Sequence, residues 1–189
     1  MSVFDQFKRT HGPGSGKAVA DRDSLDRYRN TLPGSLIRLW EEDGWSSYAN
    51  GFLRVTNPAD LEDVLDDWLD PSSAPRSVVA HTALGHLFLW TNNTVYLLNP
   101  HNGHIDKITE DAEILFDTVL CDDIVLLGLR KDLYDSAVAR LGKPAPDECF
   151  GFVPALALGG DPVAENLQRV KLREYLAILA QVAGDQTNE

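Results

Sequence analysis

Three observations predict an α+β fold. Segments with strand-like alternation fill the middle of the chain, helical spacing flanks them on both sides, and Gly/Pro-rich turns mark the change of period. The expected layout is an N-terminal helical lobe, a central antiparallel β-meander and C-terminal helices. The chain has 189 residues, 43% of them apolar and 24% charged, enough for one large or two small domains and unlike a disordered composition.

Gly12-Pro13-Gly14-Ser15-Gly16-Lys17 reads as a flexible turn ahead of the first patterned segments. Asp21 to Thr31 reads as a short helix, and a second runs from Pro33 through Leu36-Ile37-Arg38-Leu39-Trp40 to Gly44. The strongest helical signal spans Asn57 to Leu69. Asn57 can cap, Pro58 suits the first helical position, and Leu61, Val64, Leu65 and Trp68 recur at helical spacing. Pro71-Ser72-Ser73-Ala74-Pro75 then changes the composition and is the expected boundary between 1–70 and 76–184, two parts expected to pack as one compact unit.

Beyond that boundary Val78 to Leu84, His86 to Thr91 and Thr94 to Asn99 are rich in β-branched and aromatic residues. Asn92-Asn93 and Asn102-Gly103 supply hairpin turns, giving a meander of about four strands. Thr109 can cap a helix through Leu120, and Ile124-Val125-Leu126-Leu127 reads as a short buried strand after Asp122-Asp123. Asp132 to Leu141 predicts a helix ended by Gly142. A last helix is expected from Asp161, with Pro162 in its first turn and Leu167, Val170, Leu172, Leu176 and Leu179 on its apolar face, closing at Gly184 before a frayed tail over 185–189.

Seventeen Lys and Arg against 29 Asp and Glu give a formal charge of −12, which disfavours binding nucleic acid directly, since each neutralised phosphate needs a cation. The same field attracts a basic protein. No apolar run has the length of a membrane span and Met1 to Arg9 lacks a signal-peptide core, so a soluble, cytoplasmic protein is expected. Cys121 and Cys149 lie in apolar sequence and read as reduced, buried thiols.

Catalytic and metal-binding patterns are weak. Gly16-Lys17 superficially suggests a phosphate loop, but His11 stands where its first glycine is needed and Ala18 where a hydroxyl should meet magnesium. Ser15 lacks the spacing of a nucleophile elbow, with Pro13 and Lys17 at the required glycine positions. His81 and His86 fall on opposite faces of strand-like sequence. His101 and His104 flank a turn and could approach each other, but ordinary turn histidines are the default. No catalytic residue, metal or cofactor is expected. Of the four tryptophans, Trp40, Trp68 and Trp90 read as core and Trp45 as the best candidate for exposure. The outer face of the Asn57–Leu69 helix carries Asp60, Glu62, Asp63, Asp66 and Asp67, followed by Asp70, with no base between them. Besides a plain solvated face, this is the candidate docking surface for a cationic partner.

Two runs resemble known domains. Tyr28, Leu32-Pro33, Leu36, Trp40, Gly44, Tyr48, Asn50-Gly51-Phe52, Asn57-Pro58 and Trp68 resemble the GAD-related domain. Cys149-Phe150-Gly151-Phe152-Val153-Pro154-Ala155-Leu156-Ala157-Leu158-Gly159-Gly160, continuing to Glu165-Asn166-Leu167, resembles the C-terminal domain of Tdi-type immunity proteins of type VI secretion, with Cys149 where an aromatic is usual. The resemblance implies a non-enzymatic inhibitor that binds a cognate toxin, often a DNase with a basic nuclease domain, and the six carboxylates are its first candidate contacts. A regulatory or scaffold module, and less readily a hydrolase, are the competing classes.

Overall fold

A computed structural model describes residues 3–70 and 74–186. Most of the expected boundary, Pro71–Ser73, lies outside them, as does the end of the expected frayed tail, Thr187–Glu189. The chain begins with α1 (Asp5–His11), β1 (Ser15–Ala18), α2 (Arg22–Tyr28) and α3 (Gly34–Asp43). Next come β2 (Trp45–Tyr48), β3 (Leu53–Arg54) and α4 (Glu62–Asp66). The strands β4 (Arg76–Thr82), β5 (Leu87–Thr91), β6 (Thr94–Asn99) and β7 (His104–Thr109) follow, then α5 (Ala112–Asp117), α6 (Asp123–Gly128) and α7 (Lys131–Leu141). A hairpin of β8 (Glu148–Phe152) and β9 (Leu167–Lys171) precedes α8 (Leu172–Gln186).

Short polar side chains start several helices by accepting otherwise unpaired backbone N–H groups. Asp21 accepts from Ser24 N at 2.9 Å, Asp111 from Glu113 N at 2.6 Å and Asp122 from Ile124 N at 2.7 Å. The β5–β6 turn uses Asn92 and Asn93 with φ of 48° and 56°, the left-handed pair a tight hairpin requires.

All seven strands β1 to β7 form one antiparallel meander in sequence order, and β8–β9 form a separate pair. Alternation along β5 sends Phe88 and Trp90 into the larger apolar cluster, with residues of α1, α3, α5, α6 and α7, while Leu87 and Leu89 join a smaller cluster with α4 and α8. The central strands are therefore covered on both faces, in the expected α+β arrangement.

Several elements differ from expectation. The turn expected at Gly12–Lys17 contains the edge strand β1, in register with β2 through Ser15 opposite Ser47 and Ala18 opposite Trp45. The expected Asn57–Leu69 helix is a single turn over Pro58–Asp60, a break at Leu61 with φ −129°, and the short α4. Its predicted core residues Leu61, Val64 and Leu65 are nevertheless buried. The helix expected to start at Thr109 is capped instead by Asp111 and leaves the α-form at Thr118.

Ile124–Leu127 is no buried strand. The Asp122 cap turns it into α6, so Leu126 is buried while Ile124 and Leu127 point outward, 81% and 59% exposed. The helix expected from Asp161 is replaced by a loop, β9 and α8. Leu167 and Val170 have helical spacing, but as strand residues they serve different sides, Leu167 in the larger cluster and Val170 against the smaller. The final helix continues two residues past Gly184.

The two resembling runs meet in the core. The Tyr134 hydroxyl of α7 donates to the Asn50 carbonyl at 3.0 Å, and its ring lies between Phe52 and Phe150, with centroids 5.3 and 5.8 Å away. Gly51, at φ +97°, leaves that hydroxyl room: a Cβ there would sit 2.9 Å from it. One sheet crosses the expected boundary, because β3 pairs with β4.

Candidate functional site

The acidic run that stands alone in sequence meets arginines in space. Arg27 of α2 lies 2.6 Å from Glu62, whose other carboxylate oxygen accepts the Tyr28 hydroxyl at 2.7 Å. Arg173 of α8 pairs with Asp63 and also donates to the Asp60 backbone carbonyl. Arg76 at the start of β4 donates to Asp66 at 2.9 Å and to the Leu69 and Asp70 carbonyls at 3.2 and 2.8 Å, closing the end of the helical segment. Glu62, Asp63 and Asp66 thus each have a cationic partner. The hydrogen bond from Arg173 lowers the Asp63 pKa, whereas partial burial raises that of Asp60 against the opposing pull of Arg173.

Asp60 and Leu61 also form one wall of a groove of about 500 Å³. Trp45 of β2, Val55 just after β3, Pro146 and Asp147 of the loop before β8, and Leu172 and Arg173 of α8 form much of the rest, with Arg54 and His81 lining it from within. Arg54 is buried and makes no ion pair with a carboxylate among the described residues. Its guanidinium donates instead to main-chain carbonyls: Pro144 at 3.0 Å, Ala145 at 2.8 Å, Pro146 at 3.2 Å, Glu148 at 2.9 Å and Gly51 at 3.3 Å. A planar fork of five N–H donors can satisfy that many acceptors where an ammonium cannot. The side chain therefore ties the loop before β8 to β3 and joins the two resembling parts.

His81 sits opposite Arg54 in the β3–β4 register, and burial with the nearby guanidinium lowers its pKa to about 4. His86 and His101 are also buried, their rings 5.4 Å apart, and burial with neighbouring cationic groups lowers them to about 3 and 4. His101 donates to the Leu84 carbonyl at 2.9 Å, whereas His104 is exposed, so the turn pair is split between core and surface. Among the described residues no group of three or more His, Cys, Asp and Glu side chains is disposed to hold a metal ion. Cys121 and Cys149 are free thiols, and burial pushes Cys149 up to about 12. Trp45, the best candidate for exposure among the four tryptophans, is half-buried with its ring edge against Trp40. No helix among the described residues is long and apolar enough to cross a membrane.

The GAD-like domain model matches residues 2–100, more than half of the chain. The chain belongs to the GAD-like family. A second model, described as T6SS immunity protein Tdi1, C-terminal, matches residues 122–183. The two matches together give this GAD-like protein the make-up of a Tdi-type immunity protein of type VI secretion, a family that implies an inhibitor rather than a catalyst. No curated protein matches. Among solved structures, the crystal structure of Atu4351 from Agrobacterium tumefaciens aligns with a TM-score of 0.74 at 16% identity, covering 94% of this chain and 88% of that one. At that identity the likeness shows a shared fold.

The neutralising arginines escaped sequence reasoning. Arg27 lies 35 residues from Glu62 and Arg173 lies 110 from Asp63, distances at which no local charge pattern is visible. Arg54 gave no signal either, since its partners are backbone atoms. The exposed half of α6 did leave a signal, an apolar run with no polar side, which a strand reading assigned wholly to the core.

Proposed function

We propose that this GAD-like immunity protein neutralises a cognate type VI toxin, a DNase, in the cytoplasm, by covering the toxin's active cleft or the path of its substrate. The Tdi1 match over residues 122–183 carries this reading. The charge of −12 supports it, because a nuclease cleft that manages phosphate presents cations, and opposite fields speed encounter. Residues 1–70 and 76–184 act together as one binding unit. The carboxylates Asp60, Glu62, Asp63, Asp66, Asp67 and Asp70 form a first contact surface, whose part is to steer the approach.

Co-expression in a sensitive cell tests the function: the neighbouring gene's product is expressed with and without this protein. Rescue of growth is expected, and equal killing in both cultures rejects immunity. A DNA-integrity assay in the same cells tests the nuclease class. Charge reversal at Asp63, Asp66 and Asp67 is expected to lower the association rate and flatten its salt dependence. An unchanged rate and slope would remove α4 from the encounter surface.

A further inference from the structure

The exposed half of α6 is an apolar helix face left open among the described residues. Ile124 and Leu127 are one turn apart, so both side chains project from the same side of the helix, while Val125, Leu126 and Leu129 pack toward the larger cluster. Four consecutive apolar residues in a helix belong largely inside a protein, yet Ile124–Leu127 has a single side inside. An aliphatic side chain left 81% exposed, as Ile124 is, forgoes nearly all of its burial energy.

Charge gives the uncovered side a direction. From Glu110 to Gly128 the chain has six acids, Glu110, Asp111, Glu113, Asp117, Asp122 and Asp123, and no Lys or Arg. Glu110 pairs with Lys107 and Asp117 accepts the Phe7 N–H at 2.9 Å, but no ion pair among the described residues engages Asp111, Glu113, Asp122 or Asp123. The nearby Lys131 lies 2.6 Å from Asp135, its own partner on α7. Whereas Arg27, Arg76 and Arg173 pair with acids of α4, here Arg38 only lines a pocket with Glu110, Asp111 and Glu113 at the far end of the stretch, and Asp122 and Asp123 beside α6 keep their charge with no ion pair among the described residues. Apolar anchors beside unmatched charge are what the centre and rim of a heterologous protein interface require.

We propose that the α6 face, anchored by Ile124 and Leu127 and bordered by Asp122 and Asp123, is where the cognate toxin docks, meeting an apolar patch flanked by lysine or arginine on that partner. This rests on the immunity reading and deepens it: the α4 acids steer the approach, and α6 sets how long the complex lasts. Like-charge repulsion among the unmatched acids disfavours a second copy of this chain on the same face.

The test uses full-length protein and the purified product of the neighbouring gene, inactivated in its nuclease site. Variants Ile124→Asp/Leu127→Asp and, as a milder pair, Ile124→Gln/Leu127→Gln change only exposed side chains, and thermal midpoints check that both fold. Binding at least ~30-fold weaker is expected for the aspartate pair, chiefly through faster dissociation, together with loss of protection in cells. The glutamine pair should fall between it and wild type. If wild type binds and protects and both variants do so equally well, the α6 assignment is overturned and the immunity reading stands. If wild type itself neither binds nor protects, the immunity reading fails and takes this one with it. A change in oligomeric state with toxin affinity unchanged would make the face a contact between copies, which also overturns the proposal.

Discussion

The α4 segment and the α5–α6 stretch carry acidic runs of similar density, yet the fold treats them oppositely. Around α4, arginines from α2, β4 and α8 converge on Glu62, Asp66 and Asp63. Around α6, Asp122 and Asp123, which make no ion pair among the described residues, flank two exposed aliphatic side chains. A run of like charge in sequence therefore does not measure surface potential, because the neutralising groups can come from anywhere in the chain. What distinguishes a docking face here is unmatched charge combined with unburied apolar area.

The largest expected effect breaks the comparison by loosening the frame that holds it. Arg54→Met keeps much of the volume but removes the guanidinium from five main-chain carbonyls, most of them on the loop before β8, of which Ala145 still accepts the Glu148 N–H. The bonds to Gly51 and Pro144 are buried and the other three only partly so; each unsatisfied buried group costs about 1–3 kcal/mol, so a loss of about 2–6 kcal/mol is expected from urea unfolding. Arg54→Lys should recover only part of it, since an ammonium has three donors and no fork. Because that loop leads through β8 and β9 to α8, the pairing of Arg173 with Asp63 should weaken as well.

Two adjacent leucines sharpen the comparison within one helix. Leu126 is 3% exposed and Leu127 59%. Leu126→Ala should cost about 2–5 kcal/mol of stability by leaving a cavity, while Leu127→Ala should stay within about 0.5 kcal/mol. Similar costs measured by denaturant titration would mean that Leu127 is covered in the free protein, and the docking argument would lose one of its two anchors.

Acid separates the buried neutral groups from the charged surface. The folded pKa values of His81, His86 and His101 lie near 4, 3 and 4, below the ordinary 6.5. Between those values and 6.5 the unfolded chain binds more protons than the folded one, so stability is complete above about pH 6.5 and falls as pH drops toward 4, by at most about 1.4 kcal/mol per pH unit for each histidine. Urea midpoints across that window should decline steeply. His101→Gln should make the decline shallower, and an unaltered slope would show that His101 does not stay neutral in the folded state.

The sequence made the central meander and its Asn-Asn and Asn-Gly turns legible, because alternation and left-handed turn residues are local signals. The buried positions of the Asn57–Leu69 segment were legible for the same reason, although its break at Leu61 was not. β1 was hidden by glycines that read as a loop, and its pairing depends on β2, some thirty residues away. The strand β9 was hidden because Leu167 and Val170 fall at helical spacing by serving two different clusters. At the candidate site, the six acids could be read in advance but their arginine partners could not, and α6 revealed its composition without its exposed side.

A pair of variants with little effect on stability carries the sharpest electrostatic reading. Arg27→Ala and Arg173→Ala remove ion pairs whose side chains are about half exposed, so each should cost less than about 1 kcal/mol. Together they add two net negative charges to the α4 surface and release Glu62 and Asp63 from their partners. If α4 steers a cationic toxin, the double variant should associate faster than wild type at low salt, with a steeper decline as salt rises and a dissociation rate that hardly moves. An unchanged association rate would place α4 outside the encounter field, leaving α6 to supply both attraction and anchor. A faster dissociation rate would mean instead that Arg27 or Arg173 touches the toxin directly, so that the arginines, and not the acids they pair with, are the contact residues of this edge.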